Sequence, residues 1–551
     1  MCGRVVLSAK SYLHLGQCFS HLKMPNIVKQ PCDEGVIRSP SCTAPCSRNV
    51  GRWVLAATIL GSSMAMIDGT VVNVALPVLQ SELNATTTDV QWIVESYALF
   101  LAALILVGGS LGDRFGRRRI FAYGVALFAL ASVWCGLSPN VSQLIIARAV
   151  QGIGGALLVP GSLAIISASF SQEQRGQAIG TWSGFTAITS ALGPVLGGWL
   201  VENVSWRWIF FLNIPLAGIV LGILFWRVPE SRDEESARLD LWGAALVTIG
   251  LGVIVYGLVE SSHLGLFHPL VLGCLAVGAL ILSAFIFVEA NNRAPMMPLS
   301  LFKSRTFSGA NLLTLLLYSA LGGVFYFLPF NLIQVQRYSA TAAGAVFLPF
   351  ILIMFFLSRW SGGLVSRYGA KLPLTIGPII AALGFALFAV PGIGGSYWTT
   401  FFPAIVVLGL GMAISVAPLT TTVMGAVKQR QAGIASGINN AVARTAGLLA
   451  IAIFNIFVFN TFNRSLNQLL ATLNIPLEVQ KLLDEQRIKL AGAEVPAGVS
   501  GEVSGKIRQA IALAFVDSFR LVMLIAVGLA LASAVVAFVM IGRSKRQMQQ
   551  Q

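Results

Sequence analysis

Three ionisable residues, Asp68, Glu95 and Arg148, stand inside long apolar runs of the chain. A carboxyl in such a run must be protonated, paired or turned toward a wet cavity. Burial favours its neutral form, which fits an acid for exchanging protons. Asp68 lies about 16 residues into the first run, which at about 1.5 Å per residue puts it beyond the midpoint. It reads as a group for proton coupling or for binding a cationic substrate, or as a structural acid beside Gly69. Glu95 is nearer the end of its run and either shares that role or simply reaches water. Arg148, near the inner third of its run, stays charged and needs a carboxylate or carbonyl partner, Asp68 being one candidate by depth. Gln151, three residues on, shares a helical face with Arg148. Asn439, Asn440 and Arg444 form a second polar cluster, serving substrate contact or interhelical packing.

No catalytic set accompanies these residues. The four histidines, His14, His21, His263 and His268, fall in the N-terminal tail or an expected loop. No phosphate-binding loop is present, and no metal-ligand pairing lies in the apolar regions. Five of the seven cysteines (Cys2, Cys18, Cys32, Cys42, Cys46) crowd the first 46 residues. Their spacing, with His21, matches no strong zinc pattern, and that tail reads as disordered. The chain is therefore expected not to be an enzyme and to need no cofactor or metal.

Something must hold a few polar groups in apolar surroundings, and the composition says what. Of 551 residues, 56% are apolar and 11% charged, with a mean hydropathy of +0.78. Soluble domains carry about 25% charged residues, so an ordinary globular protein is excluded in favour of a polytopic membrane protein. Runs of roughly 20 apolar residues, enough to cross a bilayer, fall near 52–78, 91–112, 119–137, 143–167, 176–200, 206–227, 239–260, 267–289, 306–334, 341–363, 371–391, 399–424, 432–460 and 515–541. The expectation is an all-α fold with fourteen transmembrane helices.

The net charge of +15 raises nucleic acid as a partner, but its distribution removes it. With the N-terminus inside, 25 of the 37 lysines and arginines fall on inner segments, and only Arg207 and Arg337 on short outer loops. This is the positive-inside bias, spread over many segments rather than gathered in one patch. It places both termini in the cytoplasm.

A repeat divides the chain. Gly109-Ser-Leu111-Gly-Asp113-Arg114-Phe-Gly116-Arg117-Arg118 returns 253 residues later as Gly362-Gly-Leu-Val-Ser366-Arg367-Tyr368-Gly369-Ala-Lys371. Each follows a span and opens the next. Two related six-span halves follow, with two extra helices between them, an architecture of transporters. The expected divisions are a cytoplasmic tail (1–50), a first half (51–230), two linking helices (231–300), a second half with a long outer loop at 461–514 (301–545), and a short cytoplasmic tail (546–551).

These motifs resemble the major facilitator superfamily, and within it the fourteen-span drug:proton antiporter branch of the EmrB/QacA type. The resemblance covers about 52–545. The Gly109–Arg118 loop is similar to the superfamily's signature between spans 2 and 3. Arg148-Ala-Val-Gln151-Gly152-Ile-Gly154-Gly155 resembles its arginine motif, and Asp68-Gly-Thr-Val-Val-Asn73-Val-Ala-Leu-Pro77 the branch's first-helix motif. Trp206-Arg-Trp-Ile-Phe-Phe-Leu-Asn213-Ile-Pro215 is close to its span 6 pattern. The span 5 antiporter motif reads Thr189-Ser-Ala-Leu-Gly193-Pro194-Val-Leu-Gly197-Gly198, with Thr189 where the pattern has glycine. The second copy of the loop has Ser366 where the first has Asp113.

The resemblance implies proton-coupled export of hydrophobic or cationic small molecules from a plasma or bacterial inner membrane by alternating access. It places Asp68 and Arg148 in proton coupling, and makes Gly109, Leu111, Asp113, Arg114, Gly116, Arg117 and Arg118 a conformational latch. Asp113 is expected to accept from a neighbouring helix N-terminus. Asn73, Trp92, Tyr97, Gln151, Trp182, Phe185, Asn440 and Arg444 are candidates for the substrate cavity. Lipid, protons and a small-molecule substrate are the expected partners. Export of an endogenous metabolite, lipid or siderophore, an uptake permease on the same fold, and a non-transporting receptor are the alternatives. The sequence names neither the substrate nor a periplasmic adaptor or outer-membrane channel.

Overall fold

The computed structural model describes residues 48–542 except 171, 233–239, 293–294, 428–431, 474, 476, 496–498 and 500. The terminal tails, with the cysteine-rich stretch, lie outside these residues. Among the described residues the chain is all-helical. In order the helices are α1 (Arg48–Glu82), α2 (Thr87–Phe115), α3 (Arg117–Leu137), α4 (Val141–Ser169), α5 (Gln172–Asn203), α6 (Trp208–Phe211), α7 (Asn213–Arg227), α8 (Leu241–Leu264) and α9 (Pro269–Asn291). Then come α10 (Arg305–Phe330), α11 (Ala340–Ala345), α12 (Leu348–Gly362), α13 (Leu364–Tyr368), α14 (Lys371–Phe388), α15 (Tyr397–Gly425), α16 (Ala432–Ala471), α17 (Leu477–Gln486) and α18 (Gly501–Met540). Among the described residues, thirteen helical segments are long and apolar enough to cross a membrane. The 32-residue α5, whose side chains are described in part, stands where another span is expected.

Local sequence sets the boundaries. Thr86 and Asp89 close a capping box at the start of α2, and Asn140 accepts from Gln143 N–H at the start of α4. Each cap satisfies backbone donors that a helix end otherwise leaves bare. The repeat has a shared geometric cause. Gly116 (φ +112) and Gly369 (φ +75) both take left-handed backbone between one helix and the next, a conformation that glycine adopts without a Cβ clash.

The span near 206–227 is present as Trp208–Arg227, with a turn at Leu212 between α6 and α7. One expectation is adjusted. The segment 461–514 is not one loop. α16 extends to Ala471 and α18 begins at Gly501, because Phe462, Leu466, Ile507 and Ile511 continue the apolar stripes into the core. What remains between them carries α17 and a 3₁₀ turn, Arg487–Gly492.

Close packing follows the small residues. A Cβ on Gly152 would meet the Tyr97 carbonyl oxygen at 2.5 Å, and one on Gly154 the Phe128 backbone at 2.6 Å. Glycine here lets α2, α3 and α4 approach to backbone contact. α8 and α9 pair through Gly250, Gly257 and Gly278, and α8 seats Leu251 and Val255 against Leu99 of α2 and Leu448 of α16. α9 turns Leu280 and Phe287 outward, both at least 70% exposed, as a helix apolar on all sides does in lipid.

Candidate functional site

α1 and α4 each place one charged side chain in the interior, and the two meet. Arg148 Nη1 donates to Asp68 Oδ2 at 2.6 Å, with side-chain exposures of 2% and 0%. Such a pair needs its remaining polar atoms satisfied to offset the loss of hydration. Arg148 Nε donates to the Ile93 carbonyl (3.1 Å) and Nη1 also to Gln151 Oε1 (2.6 Å). Gln151 Nε2 donates to Asp68 Oδ1 and to Ser132 Oγ, both at 2.8 Å. Asn213 Nδ2 donates to Ser132 Oγ at 3.2 Å, carrying the network to α7. The guanidinium lies 4.2 Å from the Tyr97 ring centre, a face that attracts cations. Five helices thus contribute to one network, and a second bond, from Gln151, leaves neither oxygen of the Asp68 carboxylate bare.

The pairing of Asp68 with Arg148 matches the depth argument. The sequence reading passed over Ser132 as a partner and assigned no role to Asn213. A lone serine and a lone asparagine, each in an apolar run, were the available signal. Glu95 does not join this group. Its Oε1 accepts from Gln91 Nε2 at 2.7 Å, on the face of α2 turned toward α16.

The cavity candidates divide. Tyr97 and Gln151 belong to the buried network. Trp182 is buried in packing and donates to the Thr58 carbonyl and to Ser62 Oγ. Trp92 packs beside Tyr256 of α8. Asn73 donates to the Gly69 carbonyl and Asn440 to that of Ser436. Phe185 is 52% exposed. Arg444 is half-buried. Asn439 bridges to Asn311 and Thr314 of α10, which makes it interhelical glue.

The loop between α2 and α3 is arranged differently from expectation. Asp113 pairs with Arg117 one turn on, at 2.9 Å, and among the described residues caps no other helix. The acid at the N-terminus of α3 is Glu230, in the segment after α7. It accepts from Arg118 N–H at 3.0 Å and Arg119 N–H at 3.2 Å, and faces both guanidiniums. The helix dipole and unpaired N–H groups favour an anion there. Gly116 leaves room for it, since a Cβ would meet the carboxylate at 2.7 Å. Arg118 Nη1 also donates to the Val228 carbonyl. Arg114 lies over the Phe115 ring, while Gly109 and Leu111 stand on the last turns of α2.

The glycine-proline motif of α5 makes two contacts. Gly193 and Gly197 lie against Thr70 and Val71 of α1, and Gly198 against the Ala340 carbonyl of α11. The Pro194 carbonyl in turn touches Gly344. Nearby bonds join the same two sets of helices: Glu202 Oε2 accepts from Thr341 N–H at 3.1 Å, Gln334 Nε2 donates to Gln80 Oε1 at 2.8 Å, and Thr87 Oγ1 to the Ile488 carbonyl at 2.6 Å. All lie at the end of the bundle opposite the basic loops.

A family model described as the Major Facilitator Superfamily matches residues 58–451. The chain belongs to the Major Facilitator Superfamily. It is therefore a multi-pass membrane transporter and not an enzyme. It is 32% identical over 509 residues to the tetracenomycin C resistance and export protein of Streptomyces glaucescens, covering 90% of this chain and 92% of that one. It is 33% identical to the puromycin resistance protein pur8 of Streptomyces alboniger, over 76% and 84%. A bacterial homologue of the human lysosomal transporter Spinster has the same fold: TM-score 0.62, 18% identity, 90% of this chain and 97% of that one.

Proposed function

We propose that this member of the superfamily is a proton-coupled exporter of hydrophobic or cationic small molecules. Relatives named for antibiotic resistance and export support the direction and the substrate class. α5 counts as a span, giving fourteen, arranged as two six-helix halves joined by α8 and α9. The basic loops mark the cytoplasmic side of a plasma or bacterial inner membrane. The end closed by Gly198, Gln334 and Thr341 then faces outward, and the chain stands with its outer mouth shut. Asp113 and its basic neighbours form the latch at the opposite mouth, where the two halves separate and rejoin during alternating access.

The Asp68–Arg148 contact carries this reading. Arg148 pairs with the carboxylate of Asp68, while protonation of Asp68 would leave Arg148 held by the Gln151 and Ile93 oxygens alone. One proton thus exchanges one internal arrangement for another, which is what coupling requires.

The test is a reconstituted vesicle with an imposed pH gradient and a lipophilic cation as probe. Addition of the probe should drive protons across the membrane. Asp68→Asn, which is permanently neutral, should abolish that movement while keeping probe binding measurable. Normal proton-driven accumulation by Asp68→Asn would sink the assignment.

A further inference from the structure

Glu95 is fully buried, and among the described residues no basic side chain pairs with it. Its Oε1 accepts from Gln91 Nε2, which turns the Gln91 oxygen toward α16, where Asn455 Nδ2 donates to it at 2.8 Å. Gln91 and Asn455 are also buried. This relay crosses between the two sets of helices on the mouth-closed side. Among the described residues, Glu95 Oε2, Asn455 Oδ1 and the Tyr326 hydroxyl find no protein hydrogen-bond partner.

An ionised Glu95 would leave a buried negative charge without a counter-ion among the described residues, beside acceptors that lack a protein donor. A carboxylic acid removes the charge and adds one O–H where acceptors lack a donor. The closed arrangement therefore requires the proton. If α2 and α16 part, water reaches the carboxyl and its charge becomes tolerable.

Other charged and titratable groups around α2 do not replace that proton. α10 presents the Tyr326 hydroxyl, and α1 and α4 present Asp68 and Arg148, bound to each other. α3 presents Cys135 and, at the far end, Arg117, Arg118 and Arg119. α16 carries Arg444 eleven positions from Asn455, and α8 carries Tyr256 and Glu260. The 3₁₀ turn carries Arg487, paired with Asp484, and Lys489. On α2 itself, Asp89 is held in its capping box and Tyr97 lies under Arg148.

We propose that Glu95 is a proton-controlled bolt of the outer mouth. Protonated from the outer water, it fixes Gln91 against Asn455 and holds the mouth shut; on losing that proton it releases the contact. The bolt rests on the outward orientation and alternating access proposed above. It differs from the Asp68 switch, which is charged and paired in the same closed state.

Spin labels at Asn203→Cys and Ser396→Cys, two exposed outer positions, in a full-length background free of native cysteines, report the mouth directly. The distance distribution should be short at low pH and gain a longer population as pH rises. Glu95→Gln should stay short as pH rises from the ordinary carboxylate range through neutral, whereas Glu95→Asp should titrate with a shifted midpoint and so exclude a folding defect. Asn455→Leu should show the longer population throughout. A Glu95→Gln distribution that titrates like its parent overturns the bolt. Asp68→Asn should lose proton-driven transport yet keep the pH-dependent distance. Failure of vesicle proton movement with an intact Glu95 titration would count against coupling alone.

Discussion

Arg148 of α4 and Asp68 of α1, 80 positions apart, share a 2.6 Å contact with almost no exposure. Removing one partner of a buried pair strands the other charge, at about 3–5 kcal/mol. Asp68→Ala should therefore lower the melting temperature of the purified protein markedly. Asp68→Asn with Arg148→Gln should recover most of that loss, because no charge is stranded, but restore no proton-driven transport. Equal destabilisation in the single and double variants would show that the pair's charge balance is not what stabilises the fold.

The α5 motif predicts a different kind of defect. Gly198 meets the Ala340 carbonyl, and Gly344 meets the Pro194 carbonyl. A side chain at either position enters backbone of the opposing helix. Gly198→Leu should insert and fold, because it alters a local contact between α5 and α11, yet fail to close the outer mouth. Distances between outer labels should lengthen and transport should fall at least about tenfold, as expected when one state of a two-state cycle is disfavoured by more than about 1.4 kcal/mol. Unchanged distances would count against closure through this contact.

Glu230 makes the third prediction. It holds the N-terminus of α3 and two arginines. Glu230→Gln removes a charge from a helix N-terminus, where such interactions are worth about 0.3–1 kcal/mol. It should loosen the 228–232 segment, measured as faster hydrogen exchange at Arg118 and Arg119. Asp113→Asn, which loses only the local Arg117 contact, should slow transport and leave that exchange unchanged. The reverse pattern would return the capping role to Asp113.

The sequence made the spans, the repeat and the Asp68–Arg148 pairing legible because each rests on a local signal: run length, motif spacing, or two charges at matching depth. It misassigned the cap of α3 because Glu230 is more than a hundred positions from Arg118, and no local pattern marks that approach. Asn455 was missed for the same reason. Its partner Gln91 lies 364 positions away, and a lone asparagine in an apolar helix reads equally as packing glue. The extensions of α16 and α18 were hidden because their exposed faces are polar, which made the segment read as loop until its buried stripe had a partner.

The last prediction separates two acids of the outer mouth by sign. Glu202 stands in the last turn of α5, past the apolar run, exposed, and accepts from Thr341 N–H at 3.1 Å. Hydrogen bonding there holds its carboxyl below the usual carboxylate range. Its support for the closed mouth is therefore present above the ordinary carboxylate value and fades as pH falls through the lowered one. The Glu95 bolt has the opposite sign, holding at low pH and releasing as pH rises. In a background with Glu95→Gln, the outer-label distance should be flat from neutral pH down to the ordinary carboxylate range and loosen slightly below it. Adding Glu202→Gln should remove that acidic loosening, since the neutral amide has no proton to gain. An acidic loosening that persists in the double variant would mean another carboxyl carries it.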